Sequence, residues 1–99
     1  MGPVPVLLHQ GQRLHYEVSG AGPALLLGHS FLCSGAMWHA QVTSLERRYR
    51  IVNPDLRGHG ASAPITAPFT LYDAVDDALA ILVHLQVARA VWIGLSIGN

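Results

Sequence analysis

Cysteine, lysine and charge in general are scarce in this sequence. One cysteine, Cys33, among 99 residues cannot build an internal disulfide framework, so a reducing or indifferent compartment fits. All six basic residues are arginines, they face six acids, and the formal net charge is zero. No basic field is therefore available to hold a nucleic acid. Only 12% of residues are charged, against roughly 25% in an ordinary soluble domain, and 51% are apolar, which excludes a self-repelling disordered chain. Long apolar runs are missing as well. The longest, Ala78 to Val83, falls far short of the roughly 18 residues that span a bilayer. Met1 to Pro5 carries no basic leader region, and Val6 stands where a myristoylation signal wants Ser or Thr. The absences point to the cytoplasm by default, with no membrane partner, and the length allows one domain at most.

What is present is a succession of short apolar runs punctuated by glycine and proline. Val6–Leu8 and Leu14–Val18 read as two strands with a turn at Gly11-Gln12, and the second alternates inward and outward residues as a half-exposed strand near a sheet edge does. Ser19 to Pro23 is a turn by composition. Ala24–Leu27 and Ala90–Ile93 are continuous apolar runs, each stopped by a glycine, and fit strands buried on both faces. Arg50–Asn53 is a further short strand, stopped by Pro54. Trp38, Val42, Leu45 and Tyr49 fall on one face of a helix opened by Ser34-Gly35, with Arg47 and Arg48 in its last turn, where cations suit the helix dipole. Residues 55–68, with Pro64 and Pro68, read as a long loop. A second helix follows, capped by Thr70 with Asp73 answering it. Leu71, Val75, Ala78, Leu82 and Leu85 line its inner face, and Asp73, Asp76 and Asp77 begin the outer one. The order ββ, then βαβαβ, predicts an α/β fold with a mostly parallel sheet and right-handed crossovers. Two helices are little cover for strands apolar on both faces.

Three segments carry chemistry. Gly94-Leu95-Ser96-Ile97-Gly98 is a G-x-S-x-G following an apolar strand. A serine on so sharp a strand-to-helix turn projects its hydroxyl, and the flanking Gly94 and Gly98 must be small because the backbone doubles back. Ser96 is the candidate nucleophile. Acyl transfer also needs two backbone N–H donors aimed at the developing oxyanion. Ile97 follows the nucleophile and offers one; Phe31, in Gly28-His29-Ser30-Phe31-Leu32 after the first buried strand, offers the other. His29 reads as structural, coming too early in the chain to be the base. The third segment, Asn53 to Ser62, is a glycine-containing loop in which Asp55 and Arg57 read as a structural turn pair; it lacks the Lys-Ser/Thr of a phosphate-binding loop. Trp38 and Trp92 read as core, and Cys33 as a small packing residue. His9, His15, His39 and His84 show no metal-ligand spacing, so neither a metal nor a cofactor is expected.

Together the stretches LLLGHSFLCSGAMW (Leu25–Trp38), YRIVNPDLRGHGAS (Tyr49–Ser62) and VWIGLSIG (Val91–Gly98) resemble the α/β-hydrolase superfamily. The resemblance covers nearly the whole chain but only the first part of the family's fold. It implies strands one to five with two helices, Ser96 as nucleophile, and Phe31 and Ile97 as oxyanion donors. Its nearest flavour is the serine-dependent group similar to 3-oxoadipate enol-lactonases and related esterases. Dehalogenases and soluble epoxide hydrolases place Asp where Ser96 stands. Two positions depart from the family pattern: Ser30 and Asn99 stand where glycine is usual. In this family the acid and histidine of the triad follow the serine, and they lie beyond Asn99. The expectation is therefore residues 1–99 as the N-terminal part of one hydrolase domain. The parent would act on a small ester or lactone, or on carbon–carbon bonds of ring-cleavage products, and the isolated chain would be inactive. The reading from another class is a non-enzymatic half-domain that needs a partner or self-associates through an exposed sheet edge.

Overall fold

In the computed structural model, residues 5–29, 34–57, 62 and 70–94 are described. Five strands form one mixed sheet in the order β1-β2-β4-β3-β5, where β1 is Val6–His9, β2 Gln12–Ser19, β3 Ala24–Gly28, β4 Arg50–Pro54 and β5 Ala90–Gly94. β1 pairs with β2, and β2 with β4, antiparallel; β4–β3 and β3–β5 are parallel. The α/β class and the five strands with two helices stand as expected. The sheet is mixed: β1 and β2 form the expected half-exposed pair at one edge, β2 joins β4 antiparallel, and β4, β3 and β5 run parallel.

The hairpin turn falls one residue earlier than Gly11-Gln12. Gln10 and Gly11 both adopt positive φ (51° and 78°), leaving His9 opposite Gln12. That two-residue geometry matches the twist of the strands it joins. Beyond it, Gln12, Leu14 and Tyr16 are buried in alternation with exposed Arg13 and Glu17 and half-buried His15.

The two helices cover opposite faces of the sheet. A 3-10 turn, Gly35–Trp38, runs into helix α1, His39–Leu45. Trp38, Val42, Leu45 and Tyr49 pack on Leu25, Leu27 and Ile51, as their spacing predicted. The helix is shorter than expected. It ends at Leu45, so Arg47 and Arg48 lie in the following turn and not in its last turn. Helix α2, Leu71–His84, packs Ala78 and Ile81 on Leu14, Tyr16, Leu26 and Val52. Its buried stripe is centred on Ala74, Ala78 and Ile81, with Leu82 only partly buried at its margin. Small alanines at the centre let the helix approach the sheet closely. The same stripe turns Asp77 inward, 5% exposed, against the expectation that it belongs to the polar face.

β5 corrects another expectation. Its inner edge pairs with β3, but Val91 is 61% and Trp92 40% exposed, so Trp92 is not a core residue in this chain. With exposed Leu79 of α2 they border a cleft of about 680 Å³.

The capping box of α2 is as the sequence suggested. Thr70 Oγ1 accepts from the Asp73 N–H at 3.2 Å, and Asp73 Oδ2 accepts from the Thr70 N–H at 2.7 Å. The bond from the Thr70 backbone, helped by the Thr70 hydroxyl, holds the Asp73 carboxyl below the usual aspartate range. A depressed folded value adds stability that is full above the ordinary aspartate range and lost as the pH falls through the depressed value. Acid unfolding of Asp73→Asn is thus expected to be less pH-dependent than that of the parent below about pH 4, as followed by circular dichroism; identical profiles would contradict the cap's role.

Gly20, between β2 and β3, has φ +76°, and a Cβ there would overlap the Tyr49 carbonyl oxygen and lie 2.5 Å from that of Glu46. Left-handed strain of about 1–2 kcal/mol and overpacking of about 1–3 kcal/mol combine. Gly20→Ala is expected to destabilise by about 2–5 kcal/mol, read as a lower urea midpoint. An unchanged midpoint would show that the turn relaxes freely.

Candidate functional site

The carboxyl ends of the three parallel-running strands lie along one edge of the sheet. Gly28 at the end of β3 is in register with Gly94 at the end of β5, and Leu26 with Val52 of β4. Adjacent strands sit about 4.8 Å apart, so the segments that leave β3 and β5 start as neighbours. This is the edge where open α/β sheets bind ligands. Of the elbow and oxyanion residues, Gly94 closes β5. Phe31, Ser96, Ile97 and Gly98 lie outside the described residues, as do Ser30, Cys33, His59 and Asn99.

The described residues around this edge form a dense polar network. His29, directly after β3, is fully buried, and its Nε2 accepts the Leu56 N–H at 2.8 Å. An accepting Nε2 carries no proton, so this ring is neutral with its hydrogen on Nδ1. That agrees with a structural His29. Asp55 and Arg57, expected as a turn pair, each reach a partner far along the chain. The Asp55 carboxylate accepts the Gly35 N–H at 2.6 Å through Oδ1 and His15 Nδ1–H at 2.8 Å through Oδ2. Ser62 Oγ donates to the Asp55 carbonyl at 2.9 Å and accepts the His15 N–H at 3.0 Å. Asn53 Nδ2 donates to the Gly35 carbonyl at 2.8 Å. Arg57 forms a two-pronged pair with Asp77, Nε to Oδ2 and Nη2 to Oδ1, both 2.7 Å. That hydrogen-bonded pairing raises the Arg57 pKa further above an already basic value, so the guanidinium stays charged.

Sequence reasoning missed His15, Asn53 and Asp77 as members of this network. Asp77 carried a signal: with Ala74, Ala78 and Ile81 it falls at the i, i+3, i+4, i+7 spacing of the inner stripe. His15 carried none, since its partner Asp55 lies 40 residues away. His9, Asp76 and Asp77 also gather, with possible ligand atoms within 4.8 Å of one another, although no spacing showed it. Arg57 already neutralises Asp77, and His9 Nε2 hydrogen-bonds Asp76 at 2.7 Å, so the grouping is accounted for by these pairings. No helix among the described residues is long and apolar enough to cross a membrane.

A family model described as the alpha/beta hydrolase fold matches residues 23–98. The chain belongs to the α/β-hydrolase-fold family. It is 33% identical over 95 residues to 3-oxoadipate enol-lactonase 2 of Acinetobacter baylyi, covering 94% of this chain and 36% of that protein. It is 36% identical over 87 residues to an epoxide hydrolase of Caballeronia sordidicola, covering 85% and 26%. The crystal structure of a hydrolase from Pseudomonas aeruginosa superposes with a TM-score of 0.92 at 39% identity, covering 98% of this chain and 38% of that one. The chain thus spans about a third of the length of the relatives it matches.

Proposed function

We propose that this chain is the nucleophile-bearing part of a cytoplasmic serine hydrolase that cleaves a small carboxylic ester or lactone through an acyl-serine intermediate. In this reading Ser96 Oγ attacks the carbonyl carbon, and a histidine beyond Asn99 takes the hydroxyl proton. The N–H groups of Phe31 and Ile97 hold the oxyanion as the tetrahedral centre forms. The centre collapses by expelling the alkoxide, which takes the proton from the histidine. Water, deprotonated by the same base, then releases the carboxylate and restores Ser96. The chemistry needs no cofactor.

The register of Gly28 with Gly94 is the observation that carries this reading. It starts the candidate donor segment and the candidate elbow side by side at the ligand-binding edge of the sheet. The likeness to an enol-lactonase supports a lactone or ester substrate. The likeness to an epoxide hydrolase supports the fold equally, but Ser96 stands where the resemblance places Asp in that group. The test is pre-steady-state hydrolysis of 4-nitrophenyl acetate by the product of the complete reading frame. An initial burst of nitrophenol close to one equivalent per protein marks an acyl intermediate. Turnover of epoxides without ester turnover would overturn the proposal.

Among the described residues the outer edge of β5 is unpaired, which favours a second reading, a half-domain acting through that surface. Unpaired, apolar edges template association. Sedimentation of the isolated 99-residue chain discriminates: a stable, discrete oligomer broken by Val91→Lys supports this reading, and a monomer refutes it.

A further inference from the structure

We propose that the outer edge of β1 is a dimerisation surface, which pairs with β1 of a second copy of this chain about a two-fold axis through Leu7. Among the described residues β1 is an edge strand, paired on one side only. The Tyr16 N–H donates to the Pro5 carbonyl, and His9 stands opposite Gln12. In an antiparallel ladder, residues whose backbone groups face the partner alternate with residues whose groups face away. Pro5, Leu7 and His9 therefore present their backbone to β2, while Val6 and Leu8 turn theirs outward. The N–H that Pro5 lacks would have faced β2, so this proline does not blunt the outer edge. Val6–His9 holds no lysine or acid that would do so instead. Side chains alternate in the same way. Leu7 packs on the cluster that includes Ala78 and Ile81, and His9 bonds Asp76, so both face α2. Val6 and Leu8 face the other side, 37% and 72% exposed, where α1 rests on Leu25, Leu27 and Ile51 of β3 and β4.

A two-fold axis normal to the sheet sets two copies of an edge strand antiparallel, and the contact is isologous and closed. With Leu7 on the axis, Val6 of each copy lies opposite Leu8 of the other. Each of these two pairs exchanges both hydrogen bonds, so all the outward N–H and C=O groups of Val6 and Leu8 are satisfied. An axis through Val6 or through Leu8 satisfies only half of them within Val6–His9. The Leu7 register also gathers the exposed Val6 and Leu8 side chains of both copies into directly opposed pairs. Charge favours a copy of this chain as the occupant. The flank of α2 beside this edge carries Asp76 in its first half and His84 at its last position, and with Leu7, Leu8, Leu79 and Val83 lines a groove of about 380 Å³. The same axis runs the two α2 helices antiparallel. The acid end of each is thus turned toward the imidazole end of the other, and the helix dipoles oppose. A foreign strand would satisfy the same backbone groups; the reversal of Asp76 against His84 is what a second copy adds. β5 is the opposite edge of the sheet, about 19 Å away, so the two edges are separate surfaces.

Sedimentation velocity of the complete protein tests this. A reversible monomer–dimer equilibrium is expected with a Kd of about 1–100 µM, as suits a contact smaller than the standard interface. Leu8→Lys places a cation among the opposed aliphatic chains and is expected to weaken the dimer at least about tenfold. Leu8→Pro removes the outward N–H of each copy while leaving the ladder to β2 intact, and is expected to do the same. Both should keep the parental circular dichroism, since Leu8 is exposed. Val91→Lys, at the other edge, should leave the dimer unchanged. Cross-linking reads the register without depending on affinity. In a Cys33→Ser background, Leu7→Cys brings two Cα atoms about 4.5 Å apart across the axis, within disulfide reach, and is expected to oxidise to a covalent dimer. Val6→Cys, offset from its own copy by two residues, is not. A protein that stays monomeric at about 300 µM, well above the expected Kd, would overturn the inference. So would a dimer that Val91→Lys breaks and Leu8→Lys does not, or cross-linking through Val6→Cys in place of Leu7→Cys.

Discussion

Replacing Ser96 by alanine is expected to lower kcat of the complete protein by about 10⁴- to 10⁶-fold, with KM little changed. At about 1.4 kcal/mol per tenfold, that is about 5–8 kcal/mol of lost transition-state stabilisation. The size follows from the chemistry. In the proposed mechanism Ser96 alone forms the acyl bond, so without its hydroxyl water must attack directly. What survives is the contribution of the oxyanion donors and of substrate binding. Ser96→Cys separates the roles further. It keeps a nucleophile on the same turn, so an acyl adduct should still form although turnover is impaired. A Ser96→Ala protein that retains more than about a tenth of the parental rate would remove Ser96 from the mechanism.

Asp77→Ala is expected to destabilise the fold by about 3–5 kcal/mol, the ordinary cost of stripping one partner from a buried ion pair. Arg57 and Asp77 are 8% and 5% exposed, and both guanidinium-to-carboxylate bonds measure 2.7 Å. Without Asp77 the guanidinium, 8% exposed, loses its principal counter-charge. His9, whose Nε2 lies 4.0 Å from Asp77, offers it no compensation. Against a typical total of about 5–15 kcal/mol, the loss is large enough to populate the unfolded chain. Replacing both partners by Arg57→Met and Asp77→Leu removes the desolvation cost along with the attraction, and is expected to come out close to neutral or better. Urea unfolding of the complete protein reads both. A single variant as stable as the parent would show that Arg57 reaches water when unpaired. The pair also matters to the site. It anchors the segment just beyond Asp55 and Leu56 to α2, so the residues that hold Gly35 and His29 are themselves held.

The elements that could be read from the sequence are those with local causes. Alternation in β2, the apolar face of Trp38, Val42, Leu45 and Tyr49, and the Thr70–Asp73 cap each depend on residues close in sequence, and each stands as expected. The elbow motif was likewise visible as a local spacing of glycines about Ser96, and its residues from Leu95 to Asn99 lie outside the described ones. Apart from the hairpin turn and the end of α1, the misreadings concern partners outside the element. β2 pairs with β4, 32 to 38 residues distant along the chain in the register Glu17↔Asn53 and its neighbours, a partner that no local pattern names. Asp77 looked like a surface acid because its counter-charge, Arg57, is 20 residues away. Trp92 looked like core because an apolar run says that a strand wants cover, not whether cover is supplied within the same chain. His15 and Asp55 could not be joined by any spacing rule, although each stood in view.

The most direct test of the central claim is to find where an acyl group goes. The complete protein is quenched in acid within the burst of 4-nitrophenyl acetate hydrolysis, digested, and its peptides weighed and fragmented. An acetyl group, about 42 Da, is expected on Ser96 in the parent and at no site in Ser96→Ala. Stoichiometric acetylation of any other residue, or turnover with no adduct on Ser96, would contradict the account.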